Sequence, residues 1–429
     1  MSESSAYSVR ILRGIDEVSE ADWNRLLSLD PRDECDPGGD PPFCDHRFLA
    51  ALESSGCATA ERGFVPCHFL LFSGSELVAA APAYVKGDSD GDFSRDWDWA
   101  AGAERAGLPY YPKLIFALPF TPVTGRRFLF RPGLSAAERE TGYRVLLATA
   151  RRFCQERGIA SLHVLFPTAA QVQQLARQGL AARVAFQYHF HNPGYRHPDE
   201  FYARFTSKRR NALKRERAAP ASQGIALRTL RGDAVVQDPQ RWADIAHALH
   251  SSTVEKLVWG RRWLNQGFYR RFFASYPQAV ALVLAERQGG VVAGAFNVAA
   301  GYGETTSASG SGLAVRAPLR RLWGRYWGCF EEHPFLHFNV CYYHSIDVCI
   351  TDRVTIFEGG AGGEHKIARG FEPSETHSAH QFFHPRLDQA LRRHLEQEHA
   401  ARSQAIAAYR QEAPVLKPWQ PEPDSDAEQ

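Results

Sequence analysis

The chain has 429 residues, of which 44% are hydrophobic and 12% aromatic, so it can bury two or three cores and is not a largely disordered protein. Its 50 Lys and Arg residues nearly balance 48 Asp and Glu residues, and a formal charge of +2 excludes a protein-wide basic field for nucleic acid. The sequence shows neither a signal-peptide pattern nor an apolar run near the roughly 18 residues that cross a membrane. We therefore expect a cytoplasmic protein with no membrane span, whose eight cysteines, without a C-x-x-C pair, are reduced.

The pattern of strands and helices repeats once along the chain. Residues 67–87 are predicted to form a strand, a glycine turn and a second strand, and residues 280–301 follow the same pattern. Each hairpin precedes a block typical of a helix followed by a strand, at 143–166 and at 338–360. The sequence therefore predicts an α/β fold with two similar domains in tandem, each a mixed, largely antiparallel sheet flanked by helices.

Proline and glycine mark the predicted boundaries of these domains. They interrupt the pattern near Pro193, so we place one domain at 7–192 and the other at 196–412. Residues 413–429 are proline-rich and acidic and are predicted to be a disordered tail. A loop is predicted at 30–42 and a flexible insertion between two strands at 301–321.

The stretch 96–113, "DWDWAAGAERAGLPYYPK", alternates carboxylates with tryptophans at its start. A strand would place Asp96 and Asp98 on one face and the two tryptophans on the other. Carboxylates beside bulky aromatic rings can have a raised pKa, which suits a general base. The alternative is a polar loop anchored by its hydrophobic side chains.

Two histidines alternate near the end of the first predicted domain. On a strand, His189 and His191 point to the same side, which is how some metal sites begin. Together with Glu364 they suggest a metal-dependent hydrolase as a minor hypothesis. No third ligand lies nearby in sequence, so we expect no metal.

The most basic segment is "SKRRNALKRER", residues 207–217, which follows "PDEFYARF" on a continuous helical pattern. Arg210, Lys214 and Arg217 are spaced to form one cationic stripe, with Lys208 close by. A solvated helix face explains such a stripe, and so does a contact with phosphates. Both interpretations stay open.

The segment 356–371, "IFEGGAGGEHKIARGF", joins a short apolar strand to a predicted helix through four glycines. Glycines at a strand-to-helix junction let backbone N–H groups approach an anion, which is the role we expect of Gly360, Gly362 and Gly363. The stretch matches neither nucleotide-binding glycine motif. A metal is disfavoured, because the adjacent residues Glu364 and His365 would point about 100° apart on a helix.

Acyl transfer to an amine needs a base that removes the ammonium proton and a donor that holds the developing oxyanion. Glu358 or Glu364 is a candidate base, and Lys366 or the glycine amides are candidate donors. With His365 they complete the short list of catalytic residues in this segment.

Four segments together resemble a bacterial family described as FemAB-like or as "peptidoglycan biosynthesis/recognition", within the acetyltransferase-like (GNAT) superfamily. The resemblance covers about residues 42–412, and the segments that carry it are "YYPKLIFALPFTPVTG", "FTSKRRNALKRER", "GRYWGCFEEHPFLHFNVCYYHSID" and "FEGGAGGEHKIARGF". It implies two tandem GNAT-like domains. In Fem-type enzymes, a basic segment is similar to Lys208–Arg217 and a late glycine-lysine pattern is similar to Gly363, Lys366 and Gly370. The chain departs from its nearer family at Gly362, where a glutamine is expected, and in the 301–321 insertion.

The resemblance implies an amide-forming N-acyltransferase that uses an activated donor such as acyl-CoA or another acyl thioester. The acceptor would be a primary amine of a small molecule, a peptide or a cell-wall precursor, and Asp96 and Tyr111 would line the same cleft from the first domain. Two alternatives stay open: a Fem-type ligase that uses aminoacyl-tRNA, and a non-catalytic recognition protein of the same fold.

Overall fold

The structure, a computed structural model, describes residues 7–28, 42–256, 261–300, 321–412 and 416–418. Within these ranges it has a mixed α/β fold in which helices flank antiparallel and mixed sheets. The strands, in chain order, are β1 (Tyr7–Leu12), β2 (Val65–Pro66), β3 (His68–Ser73), β4 (Glu76–Ala81), β5 (Ala83–Lys86), β6 (Lys113–Phe116), β7 (Leu129–Phe130), β8 (Ser161–Leu165), β9 (Ala181–His191), β10 (Ala226–Arg231), β11 (Val280–Arg287), β12 (Gly290–Ala300), β13 (Arg321–Cys329), β14 (Ile356–Glu358) and β15 (Glu372–Phe382).

The α-helices, in chain order, are α1 (Glu20–Asn24), α2 (His46–Ser54), α3 (Trp97–Arg105), α4 (Ala136–Glu156), α5 (Ala169–Arg177), α6 (Pro198–Ala203), α7 (Ser207–Ser222), α8 (Gly232–Gln237), α9 (Pro239–Val254), α10 (Gln266–Ser275), α11 (Leu336–Phe338), α12 (His344–Thr351) and α13 (Pro385–Glu412). A π-helix, Asn339–Tyr343, joins α11 to α12. Short 3-10 helices lie at Ile15–Glu17, Arg25–Leu27, Pro42–Cys44, Ala60–Arg62, Pro277–Ala279 and Glu364–Arg369.

The chain divides into two compact units that interleave in sequence, unlike the contiguous domains predicted at 7–192 and 196–412. Unit 1 consists of residues 1–186, 262–276 and 375–404, and unit 2 consists of 187–261, 277–374 and 405–429. Two pieces of the predicted second domain return to unit 1. The aromatic rings of α10 pack on Phe48 of α2, and residues 378–382 of β15 pair with β8. These long-range contacts leave no local signal in the sequence.

Unit 1 contains an antiparallel sheet in the order β1-β3-β4-β7 and a second group of strands around β8. In that group β8 pairs parallel with β6 and antiparallel with β15, while β6, β5 and β2 pair antiparallel in succession. The predicted hairpin at 67–87 is confirmed by β3 and β4. The helix-strand block at 143–166 is confirmed by α4 and β8.

Helix α4 covers the core of unit 1 because its sequence suits a long amphipathic helix. Ser135 and Glu138 form a capping box that satisfies backbone N–H groups at its start. One face then buries Leu146, Leu147 and Ala150 against the strands.

Unit 2 contains β10, β11, β12 and β13 in an antiparallel succession, which confirms the second predicted hairpin. Strand β13 then pairs parallel with β14, and β14 pairs antiparallel with the end of β9. Helix α9 packs so closely on β13 that a Cβ atom at Gly328 would lie 1.7 Å from the Leu249 carbonyl oxygen. Only glycine fits there.

Several local predictions differ from the structure. Residues after Asp96 form helix α3 rather than a strand, so the expected alternation of carboxylates and tryptophans does not occur. The "PDEFYARF" and basic segments are two helices, α6 and α7, because Thr206 caps a new helix through its side chain.

Other predictions fall on residues that the structure does not describe. The loop at 30–42 and the insertion at 301–321 lie outside the described residues except for Pro42 and Arg321. The 413–429 tail lies outside them except at 416–418. There Leu416 is buried, and the Lys417 backbone exchanges hydrogen bonds of 2.9 and 2.6 Å with Arg204.

Candidate functional site

The candidate site of unit 2 lies where the parallel strands β13 and β14 separate. Their ladder holds three pairs and ends at Trp323 and Glu358. Beyond that point β13 continues to Cys329, whereas β14 ends and the segment after it turns away at Gly359. The pairing of β13 with β12, on its other edge, is also irregular, because the register shifts between Phe296 and Asn297 of β12.

This separation leaves a cavity of about 360 Å³, a volume within the usual range of small-molecule sites. Strands β12 and β13, the helical segment after β13 and the glycine segment all contribute to its wall. The lining residues are Ala295, Asn297, Gly324, Arg325, Tyr326, Trp327, His337, Cys341, Tyr342, Gly359, Gly360, Ala361, Gly362, Gly363, His365 and Lys366.

Lys366 holds the glycine segment in shape. Its Nζ atom donates hydrogen bonds of 2.6 Å to the Gly360 carbonyl oxygen and 2.7 Å to the Gly362 carbonyl oxygen. Gly360, Gly362 and Gly363 have φ angles of 84°, 79° and 90°, a left-handed backbone that residues with a Cβ rarely adopt. Lys366 is only 3% exposed, and burial lowers its pKa to about 8.

The segment after the glycines differs from the predicted α-helix. It is a 3-10 helix of six residues, Glu364–Arg369, which is too short to supply the helix dipole that we expected to favour an anion. The two carbonyl groups of Gly360 and Gly362 turn toward Lys366. The electrostatic role of this segment therefore depends on a buried cation rather than on a helix terminus.

Two imidazoles and a phenol form a polar part of the cavity wall. His365 Nε2 lies 3.1 Å from Tyr342 Oη, and the ring centroids of His337 and His365 are 6.4 Å apart. Burial, with smaller contributions from His365 and Arg369, lowers the pKa of His337 to about 4. Burial and the nearby cations Arg369 and Lys366 lower the pKa of His365 as well. Both imidazoles are therefore neutral at pH 7 and able to accept a proton.

The candidate bases from the sequence occupy contrasting places. Glu358 is 3% exposed at the end of β14, where its carboxylate lies 3.8 Å from His189 Nε2 and 3.8 Å from the Arg321 guanidinium. Burial, His191 and Arg321 lower the pKa of His189 to about 3, so that ring is neutral. Glu364 is exposed and does not belong to the cavity lining.

Cys341 also lines the cavity. Burial raises the pKa of its thiol far above the usual value, so the sulfur stays protonated at neutral pH. It is therefore a poor nucleophile for covalent catalysis.

The inner face of α7 supports the glycine segment. Arg209 Nε donates a 2.7 Å hydrogen bond to the Ala368 carbonyl oxygen, and Arg369 donates one of the same length to the His365 carbonyl oxygen. Glu216 accepts hydrogen bonds from Tyr343, from Arg209 at 3.1 Å and from Arg369 at 3.4 Å. This network fixes the position of the 3-10 helix against α7.

The outer face of α7 presents three of the four predicted cations to solvent, together with Arg215. Lys208, Arg210, Lys214 and Arg215 are all exposed, while Glu216 is on the inner side. Arg217 is separate from this group, because it forms an ion pair with Asp347 and stacks 4.0 Å from the Tyr202 ring centroid.

Asp96 and Tyr111 lie in unit 1. Asp96 is fully buried, 2.6 Å from Lys113 Nζ, and accepts a 2.6 Å hydrogen bond from Tyr110. Lys113 also lies 2.8 Å from Asp92, and Tyr111 Oη lies 2.7 Å from Ser89 Oγ. Asp96 is therefore turned into the core of unit 1 and does not face an open cleft.

Burial alone would raise the pKa of Asp96, but Lys113 and His163 outweigh it and lower the pKa below its usual range. This is the opposite of the raised pKa that the sequence predicted for a general base.

Sequence reasoning missed Asn297, His337 and Tyr342. Asn297 is the one polar residue in the apolar run "VVAGAFNVAA", a pattern that could have identified it. His337 and Tyr342 reach the cavity from the helical segment 336–343. A π-helix in that segment changes the helical spacing, which no sequence period predicts.

Within the described ranges, no three His, Cys, Asp or Glu side chains lie close enough together to hold a metal ion. His189, His191 and Glu364 are not brought together as such a group. Across the same ranges, no helix combines the length and hydrophobicity needed to span a bilayer.

The structure is that of an α/β protein of two compact units, with the cavity described above in unit 2. The chain belongs to the FemAB-like family, described as peptidoglycan biosynthesis/recognition, whose sequence profile matches residues 14–417. This confirms the family resemblance drawn from the sequence. No curated protein matches the sequence of this chain.

Several solved structures are similar to the chain at low identity. FemX is 8% identical with a TM-score of 0.47, covering 87% of this chain and 98% of its own. A tandem GNAT protein from the clavulanic acid biosynthesis pathway is 14% identical with a TM-score of 0.43, covering 88% and 99%. The C-terminal domain of a putative lysylphosphatidylglycerol synthetase from Agrobacterium fabrum is 10% identical with a TM-score of 0.47, covering 87% and 96%. These TM-scores are below 0.5, so the functional argument rests on the family and on the site.

Proposed function

We propose that the protein is an amide-forming transferase that moves an acyl or aminoacyl group from an activated donor to a primary amine. The observation that carries this proposal is the cavity between β13 and β14, where a strand edge, two neutral imidazoles and a lysine-held glycine segment meet. Membership of a family described by peptidoglycan biosynthesis/recognition is consistent with it.

The edge of β13 is suited to bind the donor. Its parallel ladder with β14 ends at Trp323, and the next four residues, Gly324–Trp327, line the cavity. An extended ligand can add to such an edge through backbone hydrogen bonds. Gly324 has no side chain to obstruct the approach.

The reaction needs one proton acceptor and one group that stabilises negative charge. The acceptor ammonium loses a proton, and its nitrogen attacks the donor carbonyl to form a C–N bond and a tetrahedral oxyanion. Collapse of this intermediate breaks the bond to the thiolate or ribose oxygen, which leaves with a proton. The products are an amide and a free thiol or hydroxyl.

His365 is the base that the geometry favours. Its lowered pKa keeps the ring neutral at pH 7, and it lines the cavity at an accessible position. In the tautomer that donates from Nε2 to Tyr342 Oη, the Nδ1 lone pair is left to take the proton. Lys366 and the glycine amides complete the site as the groups near the developing oxyanion. Glu358 is buried at the end of β14 and does not line the cavity.

The donor is either an acyl thioester such as acyl-CoA or an aminoacyl-tRNA, and both carry phosphates. The outer face of α7, with Lys208, Arg210, Lys214 and Arg215, is suited to contact them. The acceptor is a primary amine on a small molecule, a peptide or a cell-wall precursor.

The test is mass spectrometry of reactions that combine acyl-CoA or charged-tRNA donors with a panel of primary amines. We expect wild-type protein to form an amide product, and His365→Ala to reduce kcat/KM about 10²-fold, as loss of a general base does. The matched control is His399→Ala, which removes an exposed histidine of α13 and should leave the rate unchanged.

Ligand binding without an amide product in any combination would contradict the proposal and favour the non-catalytic alternative. Equal rates for wild-type protein and His365→Ala would remove His365 from the mechanism but keep the reaction.

A further inference from the structure

Asn297 places a buried carboxamide in the wall of the unit 2 cavity. Asn297 is 2% exposed, and its Nδ2 atom has no hydrogen-bond partner among the described residues. A buried amide donor without a partner is unfavourable, and most such groups in folded proteins are satisfied. This one therefore indicates a missing acceptor.

The local backbone explains why the carboxamide stays open toward the cavity. Asn297 stands at the register shift between β12 and β13, directly opposite Gly324. A Cβ atom at position 324 would lie 3.6 Å from Asn297 Oδ1 and 3.5 Å from the Phe357 ring. Glycine leaves this space free, at the point where the pairing of β13 with β14 ends.

The charged groups nearby favour a ligand with electron-rich oxygen atoms. Lys366 and Arg325 are the charged side chains of the lining in the described part of the chain, and both are cations. Lys366 already donates to two carbonyl groups, whereas Asn297 Nδ2 is a neutral donor without a partner among the described residues. A carbonyl oxygen fits these conditions.

We propose that Asn297 binds the carbonyl oxygen of the activated acyl group through Nδ2 and so selects donors that carry a carbonyl at this position. This inference rests on the proposed function for the identity of the ligand, but its test needs only binding. Asn297 would be the residue that distinguishes an acyl donor from an analogue in which the carbonyl is replaced by a methylene group.

Two matched pairs of probes test this recognition. S-acetylpantetheine and S-ethylpantetheine represent the thioester source, and 3′-O-acetyladenosine and 3′-O-ethyladenosine represent the ribose-ester source. Affinities would be measured by NMR titration of wild-type protein, Asn297→Leu and Asn297→Asp. Leucine removes the amide at similar size, and aspartate replaces the donor by an acceptor.

We expect wild-type protein to bind the carbonyl member of one pair about tenfold more tightly, the gain typical of one satisfied buried donor. In Asn297→Leu the preference should fall to about one, with little change for the carbonyl-free probe. Asn297→Asp should reverse the preference because two acceptors then face each other. The pair that shows the effect identifies the source of the donor.

A preference that survives in Asn297→Leu would overturn the proposal, and so would an equal loss of affinity for both members of a pair, since that indicates a structural role. Failure of all four probes to bind wild-type protein would overturn it too. Failure of the proposed function looks different: the probes would show the Asn297-dependent preference while no amide forms.

Discussion

In the described part of the chain, each unit contains a parallel pair of strands, β6–β8 and β13–β14, and the two pairs end in different ways. In unit 1, β6 and β8 pair over four residues, from Lys113 to Phe116, and the strands are buried. In unit 2, β13 and β14 pair over three residues and then separate around a cavity. Similar strand arrangements thus produce a closed core in one unit and an open site in the other.

A buried lysine stands near each pair, and its partners set its pKa. Burial alone would lower the pKa of Lys113, but Asp92 and Asp96 outweigh this effect and raise it. Lys366 has two carbonyl groups in place of carboxylates, so burial lowers its pKa to about 8. The first lysine stabilises a core, whereas the second keeps a positive charge in a binding site at a cost in stability.

Removing the lysine of unit 1 should have the largest effect on stability. In Lys113→Met, the carboxylates of Asp92 and Asp96 lose their buried cation, which typically costs about 3–5 kcal/mol. Urea denaturation measures this change. Lys256→Met, which removes an exposed pair with Glu332, is the control and should cost far less, because solvent screens that pair. Equal losses in the two variants would show that the closed pair does not depend on Lys113.

Acid should destabilise the protein through its buried neutral imidazoles. The pKa of His337 is about 4 in the folded protein against 6.5 in an unfolded chain, so the unfolded state takes up the proton first as the pH falls. The free energy of unfolding should therefore decrease between pH 6.5 and pH 4, by about 3 kcal/mol from this group.

His337→Phe tests this contribution. Its free energy of unfolding should fall less between pH 7 and pH 4 than that of wild-type protein, whereas the exposed-site control His399→Phe should follow wild type. Parallel curves for His337→Phe and wild type would contradict the pKa assigned to the cavity wall.

The cations on the outer face of α7 should affect binding but not folding. Replacing Lys208, Arg210 and Lys214 by Gln should raise the KM of a phosphate-bearing donor about tenfold and reduce its dependence on salt, because fewer phosphates are neutralised. A matched triple of exposed unit 1 arginines, Arg144, Arg152 and Arg393 to Gln, is the control. An effect of the same size in the control would show that overall charge, and not a donor site on α7, sets the KM.

Removing the lysine of unit 2 should change stability least. In Lys366→Met, two carbonyl hydrogen bonds are lost, but the burial of a cation with a lowered pKa is relieved. These effects oppose each other, so we expect a change within about 1 kcal/mol at pH 7. Product formation should fall at least about tenfold, since the glycine segment loses its support. A loss of stability as large as that of Lys113→Met would contradict the different roles assigned to the two lysines.

The sequence predicted the parts of the fold that depend on local patterns. Alternating apolar residues and glycine turns identified both hairpins, and helical periodicity identified α4. The sequence did not predict that α10 and most of β15 belong to unit 1. Their placement depends on long-range contacts, such as that of Phe48 with Phe268, across more than 200 residues of sequence. The strand and the polar loop considered after Asp96 both missed the helix that begins at the next residue.

The candidate site was partly predictable for the same reason. The glycine segment with Glu358, His365 and Lys366 was visible because its residues are close in sequence. Asn297 and His337 lie on separate elements and meet the segment only in the folded unit. The direction of Lys366 Nζ, toward carbonyl groups rather than outward, depends on backbone angles that sequence patterns do not specify.

The most direct test of the open site is to fill it. In Gly324→Leu a side chain would enter the gap between β13 and β14, while the control Gly290→Leu adds the same side chain at the exposed first residue of β12. With a donor and amine that wild-type protein joins, we predict that Gly324→Leu loses amide formation more than about 100-fold, retains its fold by circular dichroism, and that Gly290→Leu keeps the wild-type rate. Wild-type amide formation by folded Gly324→Leu would contradict the assignment of the reaction to this cavity.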